Sequence, residues 1–241
     1  MSAERGLLLP EEDQVRLAIE LQRQGIFGIH ETTDSSQWTK LKSERLSPHY
    51  LDIRKGISSF SMRQLVAKSM IKLTELRADV GPEVDLIDIY DHIAGTPEAM
   101  TSYAASIADL TEMSLLQPRV ATNKTSGNKT PILGEYEEGD KVAAYDDVVT
   151  EGQSKIDTIQ AFAEAGLTVS DYYVVLDREE GGAPHVEKET AIEITPALGV
   201  SSMARLLKAE RQISVQQYDN VARYLDQYGE DHAKELINSA I

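Results

Sequence analysis

The sequence contains no cysteine, which excludes a disulfide framework, a thiolate metal site and a cysteine nucleophile. It is also short of basic residues: 24 Lys and Arg stand against 40 Asp and Glu, a formal net charge of −16. That field repels phosphate backbones, so no nucleic-acid partner is expected unless cations gather on one face, and an anionic substrate must be held by local groups. Aromatic residues are sparse at 6%, and the one Trp and ten Tyr are not interleaved with a basic stripe, so they read as packing residues. No apolar run approaches the roughly 20 residues of a membrane span, and the opening MSAERGLLLPEEDQ lacks a signal-peptide core. A soluble, cytoplasmic protein without a membrane partner is expected. His30, His49, His92, His185 and His232 follow no metal-ligand spacing, and none is assigned to a metal.

What is present is a chain of 241 residues, 41% apolar, long enough to bury a full core. Residues 11–24 carry Val15, Leu17, Ala18, Ile19 and Leu21 near one side of a helix, with acids in its first turn and Gly25 after its end. Residues 38–55 read as short strands around a turn, because Pro48 forbids a helix interior. Met62, Leu65, Val66, Met70, Ile71 and Leu73 return to helical spacing before Gly81 and Pro82. Short apolar runs (DLIDIY, HIAG, MSLLQ, KVAAY, YYVVL, AIEI) then alternate with helical segments at 97–109 and 153–165. This alternation predicts βαβ units and a mainly parallel sheet, an α/β fold. Residues 119–131 (RVATNKTSGNKTP) have no apolar period and predict an exposed loop, and 199–241 predict two or three helices. No linker divides the chain, so one domain over 1–241 is expected.

The segment Lys141–Phe162, KVAAYDDVVTEGQSKIDTIQAF, is the most informative. An apolar strand ends in paired acids, passes through a polar turn with a glycine, and enters a helix whose Ile156, Ile159 and Phe162 face inward. Free N–H groups at such a helix start attract phosphate, and ligands bind at this edge of open α/β sheets. Asp146 and Asp147 are acceptors suited to sugar hydroxyls, while Thr150 and Ser154 can donate to a phosphate. An ordinary βα turn with Thr and Asp satisfying the helix end accounts for the spacing about equally well.

DDVVTEGQS resembles the phosphoribosyl pyrophosphate (PRPP) loop of type I phosphoribosyltransferases. LKSERLSPHYLDIRK (41–55) is similar to the LKSG-x-x-SP-x-Y-x-D-x-R segment of orotate phosphoribosyltransferases, including the corresponding half of UMP synthase. AGTPEAMTSYAA (94–105) resembles their G-x-P turn and following helix, and VVLDREEGG (174–182) their D-R-E-x-GG segment. The resemblance implies a type I phosphoribosyltransferase fold, with a hood from about residues 1–60 and C-terminal helices from about 199 to 241. It implies transfer of ribose 5-phosphate from PRPP to orotate, giving orotidine 5′-monophosphate and pyrophosphate in pyrimidine synthesis. PRPP would be bound by Arg119, Asp146, Asp147, Val148, Val149, Thr150, Glu151, Gly152, Gln153 and Ser154. Orotate would be bound by Lys42, Thr150 and Arg178, and Lys42, Lys124 and Asp147 would serve catalysis. Mg²⁺, held mainly through substrate, is the implied cofactor, a homodimer the implied assembly, and an orotidine-monophosphate decarboxylase a further implied partner.

The chain departs from the family pattern in its lysine loop, where Val120, Ala121 and Asn123 replace Lys, Glu and Lys. Lys124 and Lys129 are the shifted candidates for that role. Glu98 and Ala99 stand where many members carry an aromatic residue, and Glu151 and Gln153 stand in a phosphate cradle usually made of small residues. These departures keep two alternatives open, a non-catalytic binding or regulatory relative and a phosphoribosyltransferase for another base.

Overall fold

The computed structural model describes residues 9–41, 44–78, 84–119 and 132–239. Helix α1 (Glu11–Arg23) leads into strand β1 (Phe27–Ile29), which pairs antiparallel with β4 (His49–Leu51). Between them β2 (Thr39–Lys40) and β3 (Leu46–Ser47) form a second two-stranded ribbon. Both ribbons stand outside the main sheet, where residues 38–55 were expected to make short strands. Helix α2 (Phe60–Arg77) follows, its start capped by the Ser59 hydroxyl accepting from the Met62 N–H.

The main sheet uses β5 (His92–Gly95), β6 (Ser114–Pro118), β7 (Ile132–Leu133), β8 (Lys141–Val149), β9 (Thr168–Asp177) and β10 (Ile194–Gly199). Their order is β10-β9-β8-β5-β6-β7, parallel except for β7. The connecting helices are α3 (Thr101–Thr111), α4 (Gln153–Glu164) and α5 (Gly182–Thr190), and the chain ends in α6 (Val200–Ala209), α7 (Val215–Tyr228) and α8 (Asp231–Asn238). In their middle stretches the inner strands alternate in what they cover. Ala143, Tyr145, Tyr173 and Val175 pack with residues of α1, α2, α3 and α6, whereas Val142, Ala144, Tyr172 and Val174 pack with α4 and α5. This period of two is how one sheet supports a separate core on each face.

Three expectations are corrected. DLIDIY contains a 3₁₀ turn, Leu86–Asp88, because Leu86 and Tyr90 are buried together at a spacing of four while Ile87 between them is 57% exposed. In AIEI the strand begins only at Ile194, since Ala191 closes α5 in the left-handed conformation at φ 60°. Helix α3 starts at Thr101 instead of Pro97, because residues 97–100 form a turn over the end of β5 in which the Met100 N–H reaches the Thr96 carbonyl.

A buried phenol network joins α2 to the sheet. Tyr145 and Tyr173 stack at 5.3 Å, the Tyr145 hydroxyl lies 2.8 Å from Thr74 Oγ1, and the Tyr90 hydroxyl donates to Asp171 at 2.8 Å beside the Tyr173 hydroxyl. Burial pushes the hydroxyls of Tyr90, Tyr145 and Tyr173 well above the ordinary phenol range.

Candidate active site

The chain builds outward from β5 to β6 in one direction and from β8 to β9 and β10 in the other. The carboxyl ends of the adjacent strands β5 and β8 therefore flank the point where the topology reverses, the edge at which open α/β sheets take ligands. Thr96–Met100 follows β5 there, its Thr96 N–H bonded to the Tyr145 carbonyl at 2.8 Å, and Thr150–Gly152 follows β8. Gly152 adopts φ 87°, a left-handed conformation that turns the chain into α4 without any side-chain cap. The first N–H groups of α4 consequently lack a partner within their own helix, and Gln153 and Ser154 present them at an exposed position. Gly182 holds the turn from below: a Cβ there would lie 2.0 Å from the Thr150 carbonyl oxygen.

The sequence places Asp146 and Asp147 side by side, and at the end of β8 their carboxyls remain neighbours with different partners. Asp146 is buried on the α4 face, where Lys155 Nζ lies 2.6 Å from Oδ2. Asp147 is only partly buried and shares its surroundings with Arg54 and Glu98. Desolvation, reinforced by the neighbouring Asp146 charge and opposed by Lys155, pushes the Asp147 carboxyl up to about 7. Arg54 Nε donates to Asp52 at 2.7 Å, and that carboxylate keeps the guanidinium firmly charged. Sequence reasoning singled out neither Lys155 nor Arg54 as a site residue. For Arg54 a signal existed, the D-x-R at the end of the 41–55 match. For Lys155 there was none except a cation in the first turn of a helix, where a cation is out of place.

Arg178 extends from the end of β9 toward the ribbons. Its Nε lies 2.8 Å from Glu180 Oε1, both side chains being 5% exposed, and its Nη2 donates to Ser47 Oγ at 2.9 Å. Glu180 also accepts from Arg45 at 2.8 Å and from the Tyr224 hydroxyl at 3.1 Å. The predicted base-holding arginine thus sits in a buried charge cluster, not on the surface. His49 packs between Phe27 and Tyr224, with neither ring nitrogen hydrogen-bonded, and desolvation followed by the Arg178 charge lowers its pKa well below the usual value. Arg45 and Tyr224 also line a cleft of about 410 Å³ against Trp38 and Tyr228.

The predicted residues Asp146, Asp147, Val148, Val149, Thr150, Glu151, Gly152, Gln153 and Ser154 thus form one continuous strand end and turn. Glu151 is exposed, and Gln153 turns along the helix to donate to Asp157 at 2.8 Å. Arg119 lies at an exposed position just after β6. Lys42, Val120, Ala121, Asn123, Lys124 and Lys129 lie outside the described residues.

No family model matches the chain. Individual proteins do: an orotate phosphoribosyltransferase of Pyrococcus furiosus is 33% identical over 170 residues, covering 67% of this chain and 88% of that protein. The chain belongs to the orotate phosphoribosyltransferase family. The family's orotate phosphoribosyltransferase in Caenorhabditis elegans is 30% identical over 152 residues, 62% of this chain and 61% of that protein. The uridine 5′-monophosphate synthase of Bos taurus is 27% identical over 187 residues, 78% of this chain and 37% of that protein. The chain therefore spans less than two thirds of the length of these two relatives. Among solved structures, the UMP synthase of Leishmania donovani superposes with a TM-score of 0.72 at 27% identity, covering 89% of this chain and 42% of that one. The sheet and its helices are the type I phosphoribosyltransferase fold of the family.

Proposed function

We propose that the chain is an orotate phosphoribosyltransferase, moving ribose 5-phosphate from PRPP to a ring nitrogen of orotate with release of pyrophosphate. The observation that carries this is the uncapped start of α4 at the topological switch point, one turn away from the partly buried Asp147. The N–H groups of residues 153 and 154, with the hydroxyls of Thr150 and Ser154, receive the 5-phosphate; Asp147 accepts from the ribose hydroxyls. The C1′–oxygen bond then breaks with its electron pair leaving on pyrophosphate, while the pyrimidine nitrogen supplies the pair for the new bond and gives up its proton to the departing pyrophosphate. The protein's part is to orient the two reactants and to place fixed charge against the leaving group. Arg178 and Lys42 are the residues assigned to the base, and Lys124 to the pyrophosphate.

Among the described residues no group of three or more His, Asp or Glu is arranged to hold a metal ion. With Asp146 paired to Lys155, Asp147 and the exposed Glu151 are the carboxylates of this segment left to face a cation, which suits Mg²⁺ bound mainly by substrate oxygens. Bound there, Mg²⁺ would neutralise charge on the departing pyrophosphate. Among the described residues no helix is long and apolar enough to cross a membrane; cytoplasmic location, a homodimer and a decarboxylase partner belong to the same proposal.

Loss of orotate absorbance in the presence of PRPP and Mg²⁺ tests the reading, and folded protein that consumes no orotate overturns it. One observation favours a second reading: Glu180 pairs with both Arg178 and Arg45, so the two guanidiniums together keep only one net positive charge for a carboxylated base. Under that reading uracil is consumed faster than orotate in the same assay.

A further inference from the structure

Helix α4 carries a lysine in its first turn, where the positive end of the helix dipole disfavours a cation. Lys155 is nevertheless buried, its side chain 6% exposed, with Nζ 2.6 Å from an Asp146 carboxylate that is itself 4% exposed. The same ammonium lies 3.4 Å from Ser154 Oγ, at the lip of the phosphate turn. Both oxygens of Asp146 are engaged. Its Oδ1 accepts from the Asp147 N–H at 2.8 Å, and its Oδ2, besides Lys155, faces the Tyr172 hydroxyl at 3.4 Å. That hydroxyl is 2.9 Å from Thr96 Oγ1, in the segment following β5. One carboxylate thus connects the end of β8, the first turn of α4 and the segment after β5.

Resting on the function proposed above, we propose that Lys155 is a positioning residue: it withdraws Asp146 from the substrate and uses it to tie the phosphate turn to the sheet, leaving Asp147 as the ribose-binding carboxylate. The geometry favours this division: Asp146 holds the Lys155 ammonium at 2.6 Å, while the neighbouring Asp147 carboxyl, still in contact with Asp146, also feels the Arg54 charge. Asp147 is on the Arg54 side and Asp146 on the α4 side. The charge balance favours it as well. A buried carboxylate or ammonium without its partner is strongly destabilising, so either group alone would disrupt the turn, whereas their joint replacement by neutral groups of similar size would not. Neutralising one of two adjacent acids also removes a negative charge from a site that must accept a polyanion.

The test is a double-mutant cycle with K155M, D146N and the K155M/D146N pair, read by calorimetric PRPP binding with Mg²⁺ and by urea unfolding. Each single substitution is expected to weaken PRPP by about tenfold or more, and the double variant to return within about threefold of the parent. K155R, which keeps the charge, is expected to stay near the parent. D147N is expected to weaken PRPP by the same factor with or without the other changes. If D146N costs the same factor in the K155M background as in the parent, Asp146 binds ribose directly and the proposal is overturned. Should a single variant fail to fold, recovery of fold and binding in the double variant supports the tie, and binding lost in both the double variant and K155R refutes it. Absence of PRPP binding by the parent defeats the proposed function instead; the unfolding cycle then decides the tie, which a coupling near zero overturns.

Discussion

Asp147 shows how one side chain couples protonation to folding. Its carboxyl ionises near 3.8 in the ordinary state and near 7 here, desolvation being the larger cause and Asp146 the next. A folded pKa above the unfolded one means that the native state holds the proton more tightly. The resulting stabilisation is present below the unfolded value and is lost as pH rises through about 7. D147N should therefore gain stability relative to the parent between pH 5 and pH 8, seen as a urea midpoint difference that widens with pH. A difference that stays constant would show that Asp147 is not the group titrating. Gly182 makes a second, purely steric prediction. Adding the methyl of G182A would drive it into the Thr150 carbonyl, at a cost of about 1–3 kcal/mol. Because the displaced atom belongs to the turn proposed to receive phosphate, inorganic phosphate binding should weaken together with the unfolding midpoint; a stability loss with phosphate affinity intact would contradict that role.

At the scale of elements, the Arg178–Gly182 turn is where the C-terminal helices are fastened. Glu179, in the left-handed conformation at φ 58°, accepts from the Ser201 N–H and hydroxyl at the start of α6. Its carbonyl accepts from the Glu230 N–H at 2.7 Å, and Glu230 in turn accepts from the Gly181 N–H at 3.0 Å. His232, in α8, closes the arrangement with Nε2 3.3 Å from Glu179. The hydrogen bond to Glu179 raises the His232 pKa, against a smaller desolvation effect. The sign is that of a histidine gaining a partner: its contribution is full below the unfolded value of about 6.5 and vanishes as pH rises through the higher folded value. H232N should accordingly lower the melting temperature at pH 5.5 and leave it unchanged at pH 9, by calorimetry. Equal losses at both pH values would point to packing in place of charge.

The same elements show what could be read from residues alone. Helix α4 was legible because Ile156, Ile159 and Phe162 repeat at helical spacing after a glycine able to turn left-handed. Helices α1 and α2 were legible for the same reason. The Leu86–Asp88 turn was misread because a short apolar run carries no length with which to tell a strand from a helical turn. The candidate site was legible as a segment and not as an arrangement. Two adjacent aspartates look like a matched pair until one of them is taken up by a cation, and Lys155 meets Asp146 only because a turn folds the helix start back beside the strand. Likewise Arg178, Glu180, Arg45 and Tyr224 come from three distant segments, and no local pattern announces their cluster.

For the molecule as a whole, a net charge of −16 must be crossed by any polyanion approaching the site. Salt shortens the reach of that repulsion, to about 10 Å at 0.1 M. PRPP association, followed by stopped flow at fixed free Mg²⁺, should therefore speed up as ionic strength rises from about 0.02 to 0.2 M, the reverse of electrostatic steering. A rate that falls with salt would show that Arg45, Arg54 and Arg178 dominate the field at the entrance. The phenol network has a consequence of another kind. Tyr90, Tyr103, Tyr145, Tyr172, Tyr173 and Tyr224 are buried, and burial raises all six above the ordinary value of 10. Once unfolded they would ionise at ordinary alkalinity, so each proton lost above pH 10 pulls the equilibrium toward the open chain. The phenolate absorbance of these six should consequently appear in one steep cooperative step, coincident with loss of helical circular dichroism. The core's own tyrosines thereby form a built-in optical gauge of alkaline collapse, readable without any label.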